Sequence, residues 1–322
     1  MLYLTRIERI KMKKRKIDYM FDRFGTRFVN QDSSFHSKFF SSLRTKINFI
    51  KEVRHAYKKF NSIAYNTIRN NFPISVTFND GIQMKVTNVH DLVFLARYDS
   101  WKSCKIIGDE LLVSFNGTTV KFVDWRHNGD IQRIFLKEDY NEFPIKNSLV
   151  VDIGANIGDS SIYFSLCGAA KVIALEPVLA NYNAMKKNIE INEIKNIEIK
   201  NAGCAAEKRK ITVNSDKRSN GEMILSENGS EVEMITLTDI VNEYDIEAGL
   251  LKLDCEGYEQ EIIMSTSSKI LSKFKYISGE LHYHTIKPIN EMKEKLEKAG
   301  FTVVFKYDFY PEIPSFIEAK IK

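Results

Sequence analysis

Four stretches of this sequence have residue types and spacing that could do chemistry. The first is Val150-Val151-Asp152-Ile153-Gly154-Ala155-Asn156-Ile157-Gly158, followed by Asp159-Ser160-Ser161. An apolar strand, a turn of small residues and a helix start, in that order, make a nucleotide-type loop. Gly154 and Gly158 let the backbone approach a ligand closely, and Asn156 tolerates the left-handed conformation that most residues avoid. Backbone N–H groups at the helix start can hold an anionic group. Asp152 lies just inside the strand end, placed to brace the loop or to accept a ligand ammonium. The spacing Gly154-x-Asn156-x-Gly158 is one residue shorter than the Gly-x-Gly-x-x-Gly of dinucleotide enzymes.

The second stretch ends in Glu176-Pro177, with Glu176 lying 24 residues after Asp152. A carboxylate at that strand end can accept both hydroxyls of a ribose; the plainer alternative is an acid facing a helix dipole. The third, Asn201-Ala202-Gly203-Cys204, follows another strand and suits the neighbourhood of a base. The fourth is split between Asp254-Cys255-Glu256-Gly257 and Glu280-Leu281-His282-Tyr283-His284. Asp254 and Glu256 follow a strand, and Glu280, His282 and His284 would share one face of the next. An imidazole among carboxylates suits proton transfer near neutral pH. Plainer readings stand beside this: Glu256 capping a helix, and His282 or His284 as hydrogen-bonded structural residues. A carboxylate and histidine set could also bind a divalent cation, but nothing in the spacing demands it and no metal site is assigned.

From residue 149 onward the chain has the rhythm needed to hold these groups at one edge. Strands are expected at 149–153, 171–175, 197–201, 232–235, 250–253 and 275–279, with an extra one at 211–213. Helices alternate with them at 160–167, 179–192, 237–243, 259–265 and 288–300. In the last helix Ile289, Met292 and Leu296 fall on one face, Pro288 stands at the start and Gly300 at the end. Strands at 301–307 and 315–321, joined by a turn with Pro311 and Pro314, close the chain as a hairpin. This predicts an α/β doubly wound sheet, mostly parallel, with an antiparallel edge strand.

Two other regions precede it. Residues 73–145 read as a small α+β lead-in: strands at 74–78 and 82–86 around Asn79-Asp80-Gly81, a helix at 91–101, a hairpin of 110–115 with 119–123 around Asn116-Gly117, and a helix at 130–140. Residues 1–72 read as helical and basic, with Phe49, Val53, Tyr57 and Phe60 at helical spacing. Those 72 residues hold 17 Lys/Arg and 5 Asp/Glu, a net of +12, so the other 250 residues of the chain, whose total is +5, net −7. A basic segment suits a membrane surface or an acidic partner, or is simply a solvated face; no RNA-binding signature accompanies it, so nucleic acid is not expected. The four scattered cysteines form no Cys-x-x-Cys pair, and no apolar stretch follows the basic start, so a reducing cytoplasm is the expected location, with peripheral membrane contact through residues 1–72.

Taken in order, Val150–Gly158, Leu175-Glu176-Pro177, Thr236-Leu237-Thr238-Asp239-Ile240, Leu251 to Glu259 and Gly279 to His282 resemble the FkbM family of S-adenosylmethionine-dependent methyltransferases. The likeness covers roughly residues 147–305; Thr236-Leu237-Thr238-Asp239 departs from the family's usual Ser-Leu-Asp-Asp turn. It implies a Rossmann-like class I methyltransferase sheet in residues 146–322, S-adenosyl-L-methionine as cofactor, and O-methylation of a hydroxyl on a sugar, glycolipid or natural product. It then makes Asp152, Gly154, Asn156, Gly158, Glu176, Asn201 and Ala202 the expected cofactor contacts, and Asp254, Glu256, Glu280 and His282 the expected catalytic groups. Two other functions stay open: a silent Rossmann-like protein docking through its basic N-terminus, and a nicotinamide-dependent oxidoreductase, which the short loop disfavours.

Overall fold

The structure is a computed structural model, and it describes residues 54–79, 81–96, 104–125, 130–136, 139–140, 142, 144–213, 229–282, 286–307 and 314–321. The expectations for residues 1–53, the 214–228 loop, the proline turn near Pro311 and His284 lie outside these residues. The chain divides into two compact units, Met1–Leu136 and Lys137–Lys322.

In the first unit α1 (Phe60–Ile68) precedes a hairpin of β1 (Ile74–Thr77) and β2 (Gln83–Val86), then α2 (Val89–Ala96). The strands β3 (Cys104–Ile107), β4 (Glu110–Phe115) and β5 (Thr118–Phe122) form an antiparallel meander, followed by α3 (Asp130–Leu136). Asn116 and Gly117 both have positive φ, which a two-residue hairpin turn between β4 and β5 requires. Phe135 of α3 stands edge-on to Phe115 and Phe122, with centroids 5.2 and 5.5 Å away.

Two expectations fail here. Tyr57 does not share a helical stripe with Phe60, because Lys59 takes a left-handed φ of 52° and turns the chain before α1 begins. Tyr57 instead bridges to Phe78 and its hydroxyl donates to the Leu92 carbonyl at 2.6 Å. The strand β3 was not predicted: Cys104-Lys105-Ile106-Ile107 alternates in burial but is too short for its pattern to stand out.

The second unit opens with β6 (Leu149–Ile153), α4 (Asp159–Leu166), β7 (Lys171–Leu175), α5 (Leu179–Ile191) and β8 (Ile197–Lys200). Then come β9 (Ala202–Cys204), β10 (Arg209–Val213), β11 (Ser230–Ile235), α6 (Leu237–Glu243) and β12 (Gly249–Leu253). The rest is α7 (Glu259–Ser265), α8 (Ser268–Leu271), β13 (Phe274–Glu280), α9 (Ile286–Lys298), β14 (Phe301–Lys306) and β15 (Phe316–Ile321). Seven strands form one sheet in the order β14-β15-β13-β12-β6-β7-β8. Only β15 runs against the others. This is the expected doubly wound, mostly parallel sheet, with its antiparallel strand one place in from the edge because the closing hairpin folds β15 back between β13 and β14. The strands β9, β10 and β11 form a separate small sheet.

Apolar residues cover both faces of the central strands, as parallel sheets require. On one face Val151, Ile153, Ile173, Leu251, Leu253 and Ile277 pack with Ile289, Met292 and Leu296 of α9, all almost fully buried. The short helix α6 starts in a capping box, Thr236 accepting from the Asp239 amide at 3.1 Å while Asp239 accepts from the Thr236 amide at 3.0 Å. Chain order reverses between β6, whose crossover leads to β7 on one side, and β12 on the other. The carboxyl ends of β6 and β12 therefore open the crevice in which doubly wound sheets bind ligands. No helix among the described residues is long and apolar enough to cross a membrane.

Candidate active site

The site begins where β6 and β12 lie side by side, with Asp152 opposite Lys252 and Ile153 opposite Leu253. One residue further on, the Asp254 amide still donates to the Ile153 carbonyl at 3.0 Å. Gly154 turns away at φ 80°, and a Cβ there would stand 1.9 Å from the Asp254 carbonyl oxygen. Only glycine fits so close an approach between two strand ends. Its amide and that of Ala155 donate to the Leu175 carbonyl, at 3.0 and 2.9 Å, which ties the loop to β7. Asn156 (φ 49°) and Gly158 (φ 88°) repeat the left-handed conformation, so the loop curls into the start of α4. Gly158 caps that helix with no side-chain hydrogen bond, so the helix start suits the anionic end of a ligand.

Asp152 is fully buried. One oxygen accepts from the hydroxyls of Ser160 and Ser161, both at 2.6 Å, and the other lies 2.9 Å from the Lys252 ammonium. Lys252 also donates to the Gly154 carbonyl at 2.8 Å and stands 4.0 Å from Asp254. Burial works against the Lys252 charge, but Asp152 and then Asp254 outweigh it and hold the ammonium well above its ordinary range. Of the two roles read from the sequence for Asp152, these contacts match the brace. Lys252 was missed, although a lysine between leucines in a fully buried strand is itself a signal of a paired charge.

Glu176 is buried beside the loop, accepting from the Asn156 amide at 2.9 Å and the Val178 amide at 2.8 Å. Burial, partly offset by those two bonds, pushes its carboxyl up to about 7. The oxygen that takes Val178 also accepts from the Asn181 side chain at 3.5 Å, while the oxygen that takes Asn156 retains a lone pair for a ligand hydroxyl. Asn201 donates to the carbonyls of Glu176 and Pro177, at 2.9 and 3.1 Å, bracing that strand end. Ala202 is buried at the start of β9, and a Cβ on the neighbouring Gly203 would meet Met234 Sδ at 2.4 Å. The loop, Glu176 and the Asn201-Ala202 corner thus lie together at the carboxyl ends of β6, β7 and β8.

The catalytic candidates converge across two strand ends. Asp254, Glu280 and His282 bring one ligand-type atom each within 4.8 Å of one another, a donor chemistry that a divalent cation could also use. The Nε2 of His282 is 3.4 Å from Glu256 Oε2 and 3.7 Å from Asp254 Oδ1. Two details differ from the sequence reading. His282 lies two residues past the end of β13, where the Leu281 amide still donates to the Ser315 carbonyl at 2.8 Å. Glu256 does not cap α7; Tyr258 does, while Glu256 at φ 54° belongs to a tight loop.

Glu259, the first residue of α7, was also missed; an acid opening a helix reads as a dipole partner and nothing more. It is buried and accepts from the amides of Cys255 (3.1 Å) and Gly257 (3.1 Å to one oxygen) and lies 2.7 Å from His282 Nδ1. Burial alone would raise its carboxyl, but the His282 charge and these hydrogen bonds prevail and hold it low. Tyr140 closes the far side, its ring against Phe164 at 5.1 Å. Burial drives the Tyr140 hydroxyl well above its ordinary value; Lys252 pulls the other way, and Asp254, Asp152 and Glu280 add to the rise.

Residues 152–303 match the family described as Methyltransferase FkbM domain. Among solved structures, the chain is similar to the ribosomal protein L11 methylase of Lactobacillus delbrueckii subsp. bulgaricus, at 12% identity over 56% of this chain and 74% of that one, TM-score 0.32. It is similar to the precorrin-6y C5,15-methyltransferase of Geobacter metallireducens GS-15, at 15% identity over 55% and 81%, TM-score 0.33. A third is SMU.1697c of Streptococcus mutans in complex with SAH, at 16% identity over 54% and 89%, TM-score 0.35. No curated protein matches the chain.

The pairing of Lys252 with Asp152 generates a direct expectation. Lys252→Met leaves the Asp152 charge buried without its cation, which costs about 3–5 kcal/mol. Urea unfolding of the variant should show the loss; a midpoint equal to that of the parent protein would refute the pairing.

Proposed function

With residues 152–303 forming an FkbM methyltransferase domain that uses S-adenosylmethionine, we propose that this protein methylates a hydroxyl oxygen, on a carbohydrate or glycolipid acceptor. The observation that carries the reading is the Asp254, Glu280 and His282 cluster at the reversal point of the sheet, next to the Gly154 turn. When bound, S-adenosylmethionine supplies a methyl group already activated on a sulfonium, so positioning supplies much of the remaining rate. The loop of Gly154, Asn156 and Gly158 and the start of α4 hold its anionic end. Glu176 accepts from its ribose hydroxyls, and Asn201 and Ala202 border its base. Asp152 keeps the loop in shape through Ser160, Ser161 and Lys252.

A sugar hydroxyl is a weak nucleophile near neutral pH, so its proton must leave as the oxygen–carbon bond forms. His282 Nε2 takes that proton. The imidazole would then carry the positive charge that the bound donor gives up with its methyl group, between Asp254 and Glu256. Glu280 accepts from the acceptor hydroxyls and orients them. The carboxylates of Asp254, Glu256 and Glu280 around His282 suit a neutral polyol better than a phosphate backbone, which supports a carbohydrate over nucleic acid. The net +12 of residues 1–72 supports docking on an anionic membrane surface or an acidic partner.

Three measurements test this. In calorimetry S-adenosylmethionine should bind and NAD should not. Because Glu176 must be ionised to accept two hydroxyls, and its carboxyl stands at about 7, affinity should fall as pH drops from 8 to 6, by at most roughly tenfold per unit below that value. Glu176→Gln should bind more weakly and lose the pH dependence; equal affinity for the parent protein at both pH values would overturn the ribose role. Labelled methyl transfer into fractions of a cell extract, with mass spectrometry of the product, should reveal an O-methyl group. His282→Ala and Asp254→Asn should bind the donor normally yet lose transfer by about 10²-fold or more; unchanged transfer in both would sink the assignment. Removing residues 1–53, and stopping short of the buried Ala56 and Tyr57, should leave transfer intact and abolish binding to anionic vesicles. Retained vesicle binding would rule out the docking role.

A further inference from the structure

The reading of His282 as the base leaves one feature of the site unused. Glu259 is 1% exposed at its side chain, His282 is 4% exposed, and Glu259 Oε1 lies 2.7 Å from His282 Nδ1. A carboxylate at that distance makes Nδ1 the protonated nitrogen of the neutral ring. The proton-free Nε2 then faces Glu256 and Asp254, on the side where the acceptor is expected. The same carboxylate takes the amides of Cys255 and Gly257, so it also shapes the loop that carries Asp254 and Glu256.

We propose that Glu259 is a positioning residue: it fixes the tautomer and direction of the His282 imidazole and provides the buried counter-charge for the imidazolium formed during methyl transfer. This inference rests on His282 being the base. Glu259 acts through His282 and, by the Cys255 and Gly257 amides, through the loop, and the tautomer readout separates the first effect from the second. The other charged groups near the ring among the described residues have different roles in this reading. Asp254 and Glu256 stand at Nε2, Glu280 belongs to the acceptor side, and Lys252 is committed to Asp152 and to the Gly154 carbonyl. Of the two ring nitrogens, Nδ1 is the one backed by a carboxylate with almost no access to water, where an ion pair is screened least. The carboxylate is also pre-charged, since the amide bonds and His282 hold its proton off.

The test compares two variants of the full chain with the parent protein. Nitrogen NMR of the His282 ring at pH 8, with S-adenosylhomocysteine bound, should report the proton on Nδ1 in the parent protein. In Glu259→Ala it should report a mixture with the Nε2-protonated form, and labelled methyl transfer into the same extract should drop about 10- to 100-fold. Glu259→Gln keeps an oxygen for Nδ1–H but no charge; the tautomer should stay and transfer should still drop. If the alanine variant does not fold, the glutamine variant and the parent spectrum decide the matter. An Nε2-protonated ring in the parent protein overturns the proposal, as does full transfer in Glu259→Gln. The underlying reading fails separately: full transfer in His282→Ala removes the base whatever Glu259 does. Loss of transfer on adding EDTA, restored by a divalent metal, would make His282 Nε2 a ligand and likewise overturn the positioning role.

Discussion

The buried pair between Lys252 and Asp152 is the interaction on which the site depends. It joins the two strands on either side of the reversal in the sheet, one link in their side chains where the backbone ladder is about to end. Two charges in a dry interior are tolerated only when they are paired and their other bonding sites are met. Here Ser160 and Ser161 satisfy the acid, and the Gly154 carbonyl satisfies the ammonium. Each of those partners belongs to the loop or to the helix it leads into. The ion pair therefore sets the distance between strand ends and the path of the cofactor loop with one set of contacts.

From that anchor the two halves of the chemistry separate cleanly. On the side of β7, Glu176 is tied to the loop through the Asn156 amide and to the next helix through Val178 and Asn181. On the side of β13, His282 meets Glu259 at the start of α7 just past the strand end. Asp254, Glu256 and Glu259 all face the His282 ring, so a proton taken up there would lie among carboxylates.

Much of this architecture was legible in the chain. The strand rhythm from residue 149, the loop glycines, the helix stripe of Ile289, Met292 and Leu296 and the antiparallel closing strand all follow from periodicity and from the conformations only certain residues accept. Asp152, Glu176, Asp254 and Glu280 could be found because each is a polar residue at the end of an apolar strand. Lys252 and Glu259 escaped for opposite reasons. Lys252 sits inside a strand, where the apolar neighbours dominate the pattern; Glu259 sits at a helix start, where an acid needs no special explanation.

By itself, then, the sequence determined the element order, the sheet class and the family likeness, since these rest on local spacing and backbone preference. Only the tertiary structure decided which charges meet. Lys252 is 100 residues from Asp152 and Glu259 is 23 from His282, and no periodicity encodes those pairings. They arise because the sheet order places β12 beside both β6 and β13, so that residues far apart in the chain share one buried edge.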